Sequence, residues 1–469
     1  MDKVGILVVS KCLSSAAMID TFARSDNYSP EFYVAERQVN PLNFKRAKVH
    51  RVIPDLDVRE IAKFAGRHRR EIAFGLTDTE DFVVAGGRDF VEKETGVPML
   101  CVTKKFAVEA SKADQRLLFE RIWSEANPRY KVFDPSEFSN PTAAVDDFTR
   151  FSKGLLDGFA IKPDAPARGA GVGVWGKDFR TREEAVEFFR NVYSKGRVVV
   201  EERIEGEESS FHAFSDGRHF VPTPLTRDYK RAVDGDVGKL TGGMGSYRGP
   251  DEALPFLPPL EWEKVVRLER DAFEKWKGEG SNPGLRGIVL YDALMHTRGG
   301  FKILERNSRG GNTEQMCFLT TMLDDYVDVC YRMIDGDLNG IRFSSKPSVV
   351  TCAVPSNYGI APSHESEDVS VGLDGALSLE KKLEGSIRIF PMDLRLDETT
   401  GRTLMGTSRS VAVAGVAPSI EEARELSLQG VKALKGPFRY RRDVASAADI
   451  AKSREHLLAI RRAERTRAP

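Results

Sequence analysis

The first hundred residues set the strongest constraint on the fold. Val4 to Ser10 is a nearly unbroken apolar run, the pattern of a strand covered on both faces rather than alternately buried and wet. Ala16 to Arg24 then fits a short helix. Phe32–Glu36 and Val49–Ile53 repeat the strand signal, Val58–His68 has helical spacing, and Ile72–Leu76 reads as another strand. Strands separated by helices need crossover connections, which build a parallel sheet. A small parallel α/β domain is therefore expected over residues 1–108.

A chain of 469 residues exceeds what one hydrophobic core supports. Val108 to Ala126 reads as helical. Strand signals follow at Tyr130–Phe133 and Gly158–Pro163, then a helix at Thr181–Tyr193 and a β-rich run at Arg197–Arg203. Residues 224–258, rich in Gly, Asp and Arg, read as a long loop. Gly287–Met295 and Phe301–Leu304 read as two strands joined by a hairpin at Arg298–Gly300. The expected organisation is a central region over 109–335, with a smaller subdomain at 127–202. A mixed C-terminal domain follows over 336–445, then a helix with a basic tail over 446–469. The fold class is α/β with α+β regions.

Lys plus Arg equals Asp plus Glu, 70 of each, so charge gives no case for nucleic acid or a membrane surface as partner. No apolar run approaches the roughly 20 residues that span a bilayer, and the start lacks the features of a signal peptide. The five cysteines are scattered and without metal-ligand spacing. They read as reduced thiols of a cytoplasmic protein.

Four segments carry chemistry. Asp292 sits on one strand of the expected hairpin, and Glu305 follows thirteen positions later with Asn307 two beyond it. Residues two apart on a strand share a face, so Glu305 and Asn307, with Asp292 alongside, form a candidate site for Mg²⁺ or Mn²⁺ on nucleotide phosphates. Two acids on a solvated hairpin edge would look the same, but Glu305 directly follows the apolar pair Ile303–Leu304. The second segment is the loop Pro163–Gly173, which contains Gly169 and Gly171 and follows Lys162. Its glycines could bring backbone N–H groups to phosphates, with Lys162 as a point charge. An ordinary turn is the alternative. The third is Val198–Glu208, a strand ending in acids, suited to an adenine edge and, through Glu208, to ribose hydroxyls; an acidic solvated turn is the alternative. The fourth is Thr226–Tyr247, where Arg227, Asp228, Lys230 and Arg231 precede Gly242-Gly243-Met244-Gly245. Such a segment is either a functional lid or a surface excursion.

Together these segments resemble the glycinamide ribonucleotide synthetase (phosphoribosylamine–glycine ligase) family of ATP-grasp enzymes, well over residues 100–335 and weakly over 340–450. Ile161-Lys162-Pro163-Asp164 is similar to the family's Ile-Lys-Ala-Asp, and Glu201 to Glu208 to its Glu-Glu-Phe-Leu-Asp-Gly-Glu-Glu. Asp228-Tyr229-Lys230-Arg231 with Leu240 to Tyr247 resembles Asp-His-Lys-Arg and Asn-Thr-Gly-Gly-Met-Gly-Ala-Tyr. Glu305 to Glu314 resembles Glu-Phe-Asn-Cys-Arg-Phe-Gly-Asp-Pro-Glu, and Ser111-Lys112 resembles the Ser-Lys that opens the ATP-grasp region. The resemblance implies ATP binding by Lys112, Lys162, Glu201, Ile204 and Glu208, and metal ligation by Glu305 and Asn307. It also implies that Arg309 with Lys230 and Arg231 holds the carboxylate and the acyl phosphate.

There are departures. The family's Gly-Asn-Gly-Gly-Arg-Glu-His-Ala, which cradles the phosphate of phosphoribosylamine, is replaced by Ser10-Lys11-Cys12-Leu13-Ser14-Ser15. Its Val-Gly-Pro-Glu-Ala-Pro is replaced by Phe74-Gly75-Leu76-Thr77-Asp78-Thr79. Asp292 stands where this family usually has no acid, although D-alanine ligases place one there. The expected activity is ATP-dependent joining of a carboxylate such as glycine to an amine such as phosphoribosylamine. A ligase with another amine and a non-catalytic nucleotide-binding relative are the alternatives.

Overall fold

The structure is a computed structural model that describes residues 1–155, 157–164, 171–360 and 368–465, with side chains to residue 462. The chain forms two compact units. The first comprises Met1–Ala107, Ser209–Tyr291 and Asn307–Arg454; the second comprises Val108–Glu208, Asp292–Arg306 and Glu455–Pro469. The chain passes from one to the other inside the strands Glu207–Asp216, Arg286–Thr297 and Gly300–Asn307 and inside the helix Ala447–Arg465.

The first unit opens with the expected parallel sheet. Its order is Ala47–Val52, Tyr28–Glu36, Asp2–Ser10, Ile72–Thr77, all strands parallel. Val4 to Ser10 is buried throughout, as its unbroken apolar run requires. The helix Ser15–Ala23 packs Met18, Ile19 and Phe22 into a core shared with Phe318, Leu319, Val327 and Met333. Phe22 stacks on Tyr326 with ring centroids 4.4 Å apart. Burying one such aromatic side chain contributes about 2 kcal/mol or more. The same unit holds an antiparallel sheet in the order Arg227–Asp228, Gly245–Arg248, Ser348–Pro355, Val411–Val416, Ile387–Pro391.

That sheet corrects the reading of 224–258 as a long loop. Arg231–Val233 and Val237–Leu240 form a hairpin, and Gly245–Arg248 pairs along Ser348–Pro355. Strands of two to four residues carry no periodicity of their own; Gly245–Arg248 is ordered by a partner about a hundred residues away.

In the second unit, Tyr130–Phe133, Val198–Glu202, Phe159–Pro163 and Gly173–Val174 form an antiparallel sheet in that order. The helices Pro141–Lys153 and Arg182–Tyr193 contribute to its aromatic core, where Phe148 stacks on Phe189 at 4.4 Å. Thr181 and Glu184 close a reciprocal cap on the second helix, which sets where it starts. No helix among the described residues is long and apolar enough to cross a membrane. All five cysteines are free and buried. Burial pushes the thiols of Cys101, Cys317 and Cys352 up to about 12, so none of these three is a ready nucleophile.

Candidate active site

The second unit's sheet has two unlike faces because side chains alternate along each strand. Phe159, Ile161, Val198 and Val200 belong to the aromatic core. Lys162 and Glu201, one step out of phase, point the other way. Lys162 Nζ lies 2.6 Å from Glu201 Oε2 and 3.3 Å from the Leu304 carbonyl oxygen. Arg116, from the helix Lys112–Ile122, donates to Glu201 Oε1 at 2.6 Å and to the carbonyls of Ile303 and Leu304 at 2.9 and 2.6 Å. Burial alone would raise the Glu201 carboxyl, but Arg116 and Lys162 hold it below the usual range. Burial pulls the Lys162 ammonium below its usual value, against the attraction of Glu201 and Glu305. Two cations sharing one buried carboxylate leave Lys162 ready to gain from an arriving phosphate oxygen.

Lys112 is the first residue of its helix and is buried. Ser111 caps that helix by accepting the Asp114 N–H at 3.0 Å. Asp164 Oδ1 accepts from Ser111 Oγ and from the Ala113 N–H, both at 2.9 Å, and Arg197 holds Asp164 Oδ2 at 2.7 Å. The strand carrying Lys162 thus ends on the helix start carrying Lys112. Gly171 has φ +76°, a left-handed conformation that favours glycine; Gly169 lies outside the described residues. Ile204 and Glu208 are half-buried on the stretch that leaves the strand Val198–Glu202 and enters Glu207–Asp216. The C-terminal helix is tied to this unit: His456 Nδ1 lies 2.6 Å from Glu207 Oε1, and Arg461 donates to the Thr297 carbonyl at 3.3 Å. Of the basic tail, Arg461 is therefore engaged with this unit, whereas Arg462 is exposed. The Arg465 side chain and Arg467 lie outside the described residues.

Of the three expected metal ligands, one is placed apart from the other two. Glu305 and Asn307 stand two apart on Gly300–Asn307 as predicted. Asp292 does not join them. Its Oδ1 accepts from Arg306 Nε at 2.8 Å and its Oδ2 from Arg306 Nη2 at 2.5 Å, with both side chains fully buried. Arg306 lies between Glu305 and Asn307 in sequence, so alternation turns it, and the Asp292 it grips, to the opposite face. A carboxylate with both oxygens committed to a guanidinium fork does not offer a metal ligand. Among the described residues no three His, Cys, Asp or Glu side chains converge as a metal site. The remaining donors, a carboxylate and an amide oxygen, suit a hard cation that takes its other ligands from phosphates and water. The Asn307 Nδ2 is buried without a hydrogen-bond partner, as expected where a ligand completes the surroundings.

Asn307, Arg309, Lys230 and Arg231 belong to the first unit, unlike the other predicted site residues in the described chain. Arg309 Nε donates to Glu80 Oε2 at 3.1 Å, and its Nη1 to the Gly310 carbonyl at 2.9 Å. The Lys230 carbonyl accepts from the Thr241 N–H at 2.8 Å, and Arg231 donates to the Gly238 carbonyl at 2.9 Å. Both bonds brace the hairpin. A Cβ on Gly243 would fall 2.6 Å from an Asp228 oxygen and 3.4 Å from Thr313 Oγ1, so the Gly-Gly-Met-Gly turn can lie against the start of the helix Asn312–Thr321 only as glycine.

Sequence reasoning missed Arg116, Arg306, Glu80, Asp78 and His212. The Arg306 signal was available in its position between two site residues. His212 gave none; it sits in a buried strand, stacked on Tyr291 at 4.7 Å, and its Nε2 accepts the Gly311 N–H at 3.0 Å. That bond places the ring proton on Nδ1 and keeps the ring neutral. Burial, and then Arg309, push its pKa down to about 3. Unfolded His titrates near 6.5, so between about pH 6.5 and 3 only the unfolded chain gains this proton. Stability should fall as pH drops through that window, by at most about 1.4 kcal/mol per unit from this group. Gln in place of His212 keeps an acceptor for Gly311 and should remove that slope. Urea unfolding of both proteins at neutral and mildly acid pH checks this, and equal acid losses would contradict it.

Comparison with known proteins identifies the family. The family described as "Phosphoribosylglycinamide synthetase, ATP-grasp (A) domain" matches residues 122–315. The phosphoribosylamine–glycine ligase of Pyrococcus furiosus is 34% identical over 426 residues, covering 90% of this chain and 90% of that protein. That of Methanocella arvoryzae is 31% identical over 459 residues, covering 97% of this chain and 99% of the relative. A crystal structure of the Thermotoga maritima ligase of that name superposes with a TM-score of 0.72 at 23% identity, covering 94% of this chain and 100% of the other. The biotin carboxylase domain of Hydrogenobacter thermophilus 2-oxoglutarate carboxylase, solved with MgADP, shares the fold with a TM-score of 0.64 at 15% identity, covering 92% of this chain and 91% of the other. With Lys162, Glu201 and Glu305 gathered at one sheet face and this likeness running nearly end to end, the chain belongs to the phosphoribosylamine–glycine ligase family of ATP-grasp enzymes.

Proposed function

We propose that this chain uses ATP to convert the carboxylate of glycine to an acyl phosphate and passes the glycyl group to the amine of phosphoribosylamine. The observation that carries the reading is the buried Arg116–Glu201–Lys162 cluster seated on the backbone of Ile303 and Leu304, next to Glu305. Lys112 and Lys162 hold the α- and β-phosphates, the stretch after Glu201 that includes Ile204 meets the adenine edge, and Glu208 accepts from the ribose hydroxyls. Glu305 and Asn307 would hold the divalent cation, Mg²⁺ or Mn²⁺, which supplies charge neutralisation for the phosphates when bound. The glycine carboxylate attacks the γ-phosphorus, ADP leaves, and Arg309 with Lys230 and Arg231 stabilises the charge on the transferring group. The amine then displaces phosphate from the acyl carbon, so no side-chain nucleophile is required.

Glycine-dependent ADP release with a phosphoribosylamine source tests the reading. Release that requires a different amine would favour a ligase of the same chemistry with altered specificity. ATP binding without release for any amino acid would favour a non-catalytic relative. One observation favours altered specificity: the turn Ser10–Ser15, where the resemblance places the phosphate cradle, is already occupied by a carboxylate from within the chain.

A further inference from the structure

In the parallel sheet, Tyr28–Glu36 lies on one side of Asp2–Ser10 and Ile72–Thr77 on the other. The carboxyl end of Asp2–Ser10 is therefore the point where strand order reverses, and open α/β sheets take their ligands there. The turn that follows feeds the nine-residue helix Ser15–Ala23. Convergent N–H groups at a helix start attract anions, phosphate above all. Here an anion is already present. Asp78, just past Ile72–Thr77, accepts the Lys11 N–H on Oδ1 at 2.9 Å. Its Oδ2 accepts the N–H groups of Leu13, Ser14 and Ser15 at 3.0, 2.9 and 3.0 Å and lies 3.0 Å from Ser10 Oγ. The one N–H left in the turn, that of Cys12, donates to Ser10 Oγ at 2.7 Å. Asp78 is 1% exposed, and Ser14 and Ser15 are as deeply buried. The Lys11 ammonium pairs with Asp81. An arriving phosphate would find the backbone N–H groups of residues 11 to 15 in use and a buried carboxylate in its place.

We infer that Asp78 is a built-in anion that sets amine specificity by keeping the phosphate position of this switch point filled. The amine substrate is then recognised through its amino group and sugar, with no phosphate seated at Ser14 and Ser15. The inference rests on the ligase reading for the identity of the site as the amine's; the occupancy of the turn by Asp78 does not.

The test uses the full-length protein with the nucleotide site filled by a non-hydrolysable ATP analogue, and compares wild type with Asp78→Ser. Millimolar inorganic phosphate should leave wild-type thermal unfolding unmoved and should raise the midpoint of Asp78→Ser, whose emptied turn now binds the anion. An equal rise in both proteins, or none in either, overturns the inference. Asp78→Asn, which keeps the shape and removes the charge, carries the same comparison should the serine variant not fold. Kinetically, wild type should use phosphoribosylamine and ribosylamine with kcat/KM values within about tenfold of each other, and Asp78→Ser should shift the ratio toward the phosphorylated amine. A wild-type preference for phosphoribosylamine of about a hundredfold or more sinks the specificity claim. Should no amine support glycine-dependent ADP release, the ligase reading fails, and the phosphate comparison still decides whether Asp78 fills the turn.

Discussion

Glu305→Gln is expected to lower glycine-dependent ADP release by about a thousandfold or more while leaving the fold intact. The size of the effect follows from how few oxygen donors this face of the strand provides. Asp292 is committed to Arg306 and Glu201 to Arg116 and Lys162. Glu305 is the carboxylate on the strand Gly300–Asn307 whose field Lys162 feels. An amide of the same shape keeps the packing after Leu304 and gives up the charge that a divalent cation needs. Glu201→Gln makes the informative contrast. It would strip two buried cations of their shared counter-charge and should lower stability as well as turnover. Initial-rate measurement of ADP release, paired with thermal unfolding, separates the two. Undiminished release by Glu305→Gln, or loss of its fold, would remove Glu305 as the metal-holding carboxylate.

Much of the scaffold could be read from side-chain periodicity, because the segments concerned bury whole faces. Val4–Ser10 could only be a central strand, and it lies between Tyr28–Glu36 and Ile72–Thr77. The alternation Phe159, Ile161 against Lys162 sends Lys162 away from the aromatic core, and Val198, Val200 against Glu201 does the same for Glu201. What escaped were features made by partners distant in sequence. Gly245–Arg248 is a strand because Ser348–Pro355 offers it an edge, and Arg227–Asp228 then pairs on its other side. Arg116 reaches Glu201 across 85 positions, and Asp78 reaches the turn after the first strand across 63 to 67. His212 is an apolar-strand residue in every local respect, and only the Gly311 N–H reveals its use. The pairing of Asp292 with Arg306 escaped for another reason. Alternation was applied to Glu305 and Asn307 but not to the arginine between them, which decides what its partner on the neighbouring strand can do.

That arginine makes the second large prediction one of stability. Asp292→Asn is expected to destabilise the protein by about 3–5 kcal/mol, a large share of the 5–15 kcal/mol typical of a folded domain. The Arg306 guanidinium would be left buried without its counter-charge, and it has no route to water. It lies over the Phe119 ring with its central carbon 4.8 Å from the centroid, while its backbone N–H is held by Gln115 Oε1 at 2.9 Å. Arg306→Met in the same chain should recover most of the loss, since a matched apolar pair avoids the desolvation that the ion pair must overcome. The dependence of ADP release on magnesium concentration should be the same in the double variant as in wild type. Urea unfolding reads the first effect and a magnesium titration the second. If Asp292→Asn were instead fully stable and demanded far more magnesium, Asp292 would be a ligand after all. Arg306 would then have to release it when the nucleotide arrives, a rearrangement that opens a buried ion pair at each turnover and that the fully enclosed geometry of the two side chains argues against.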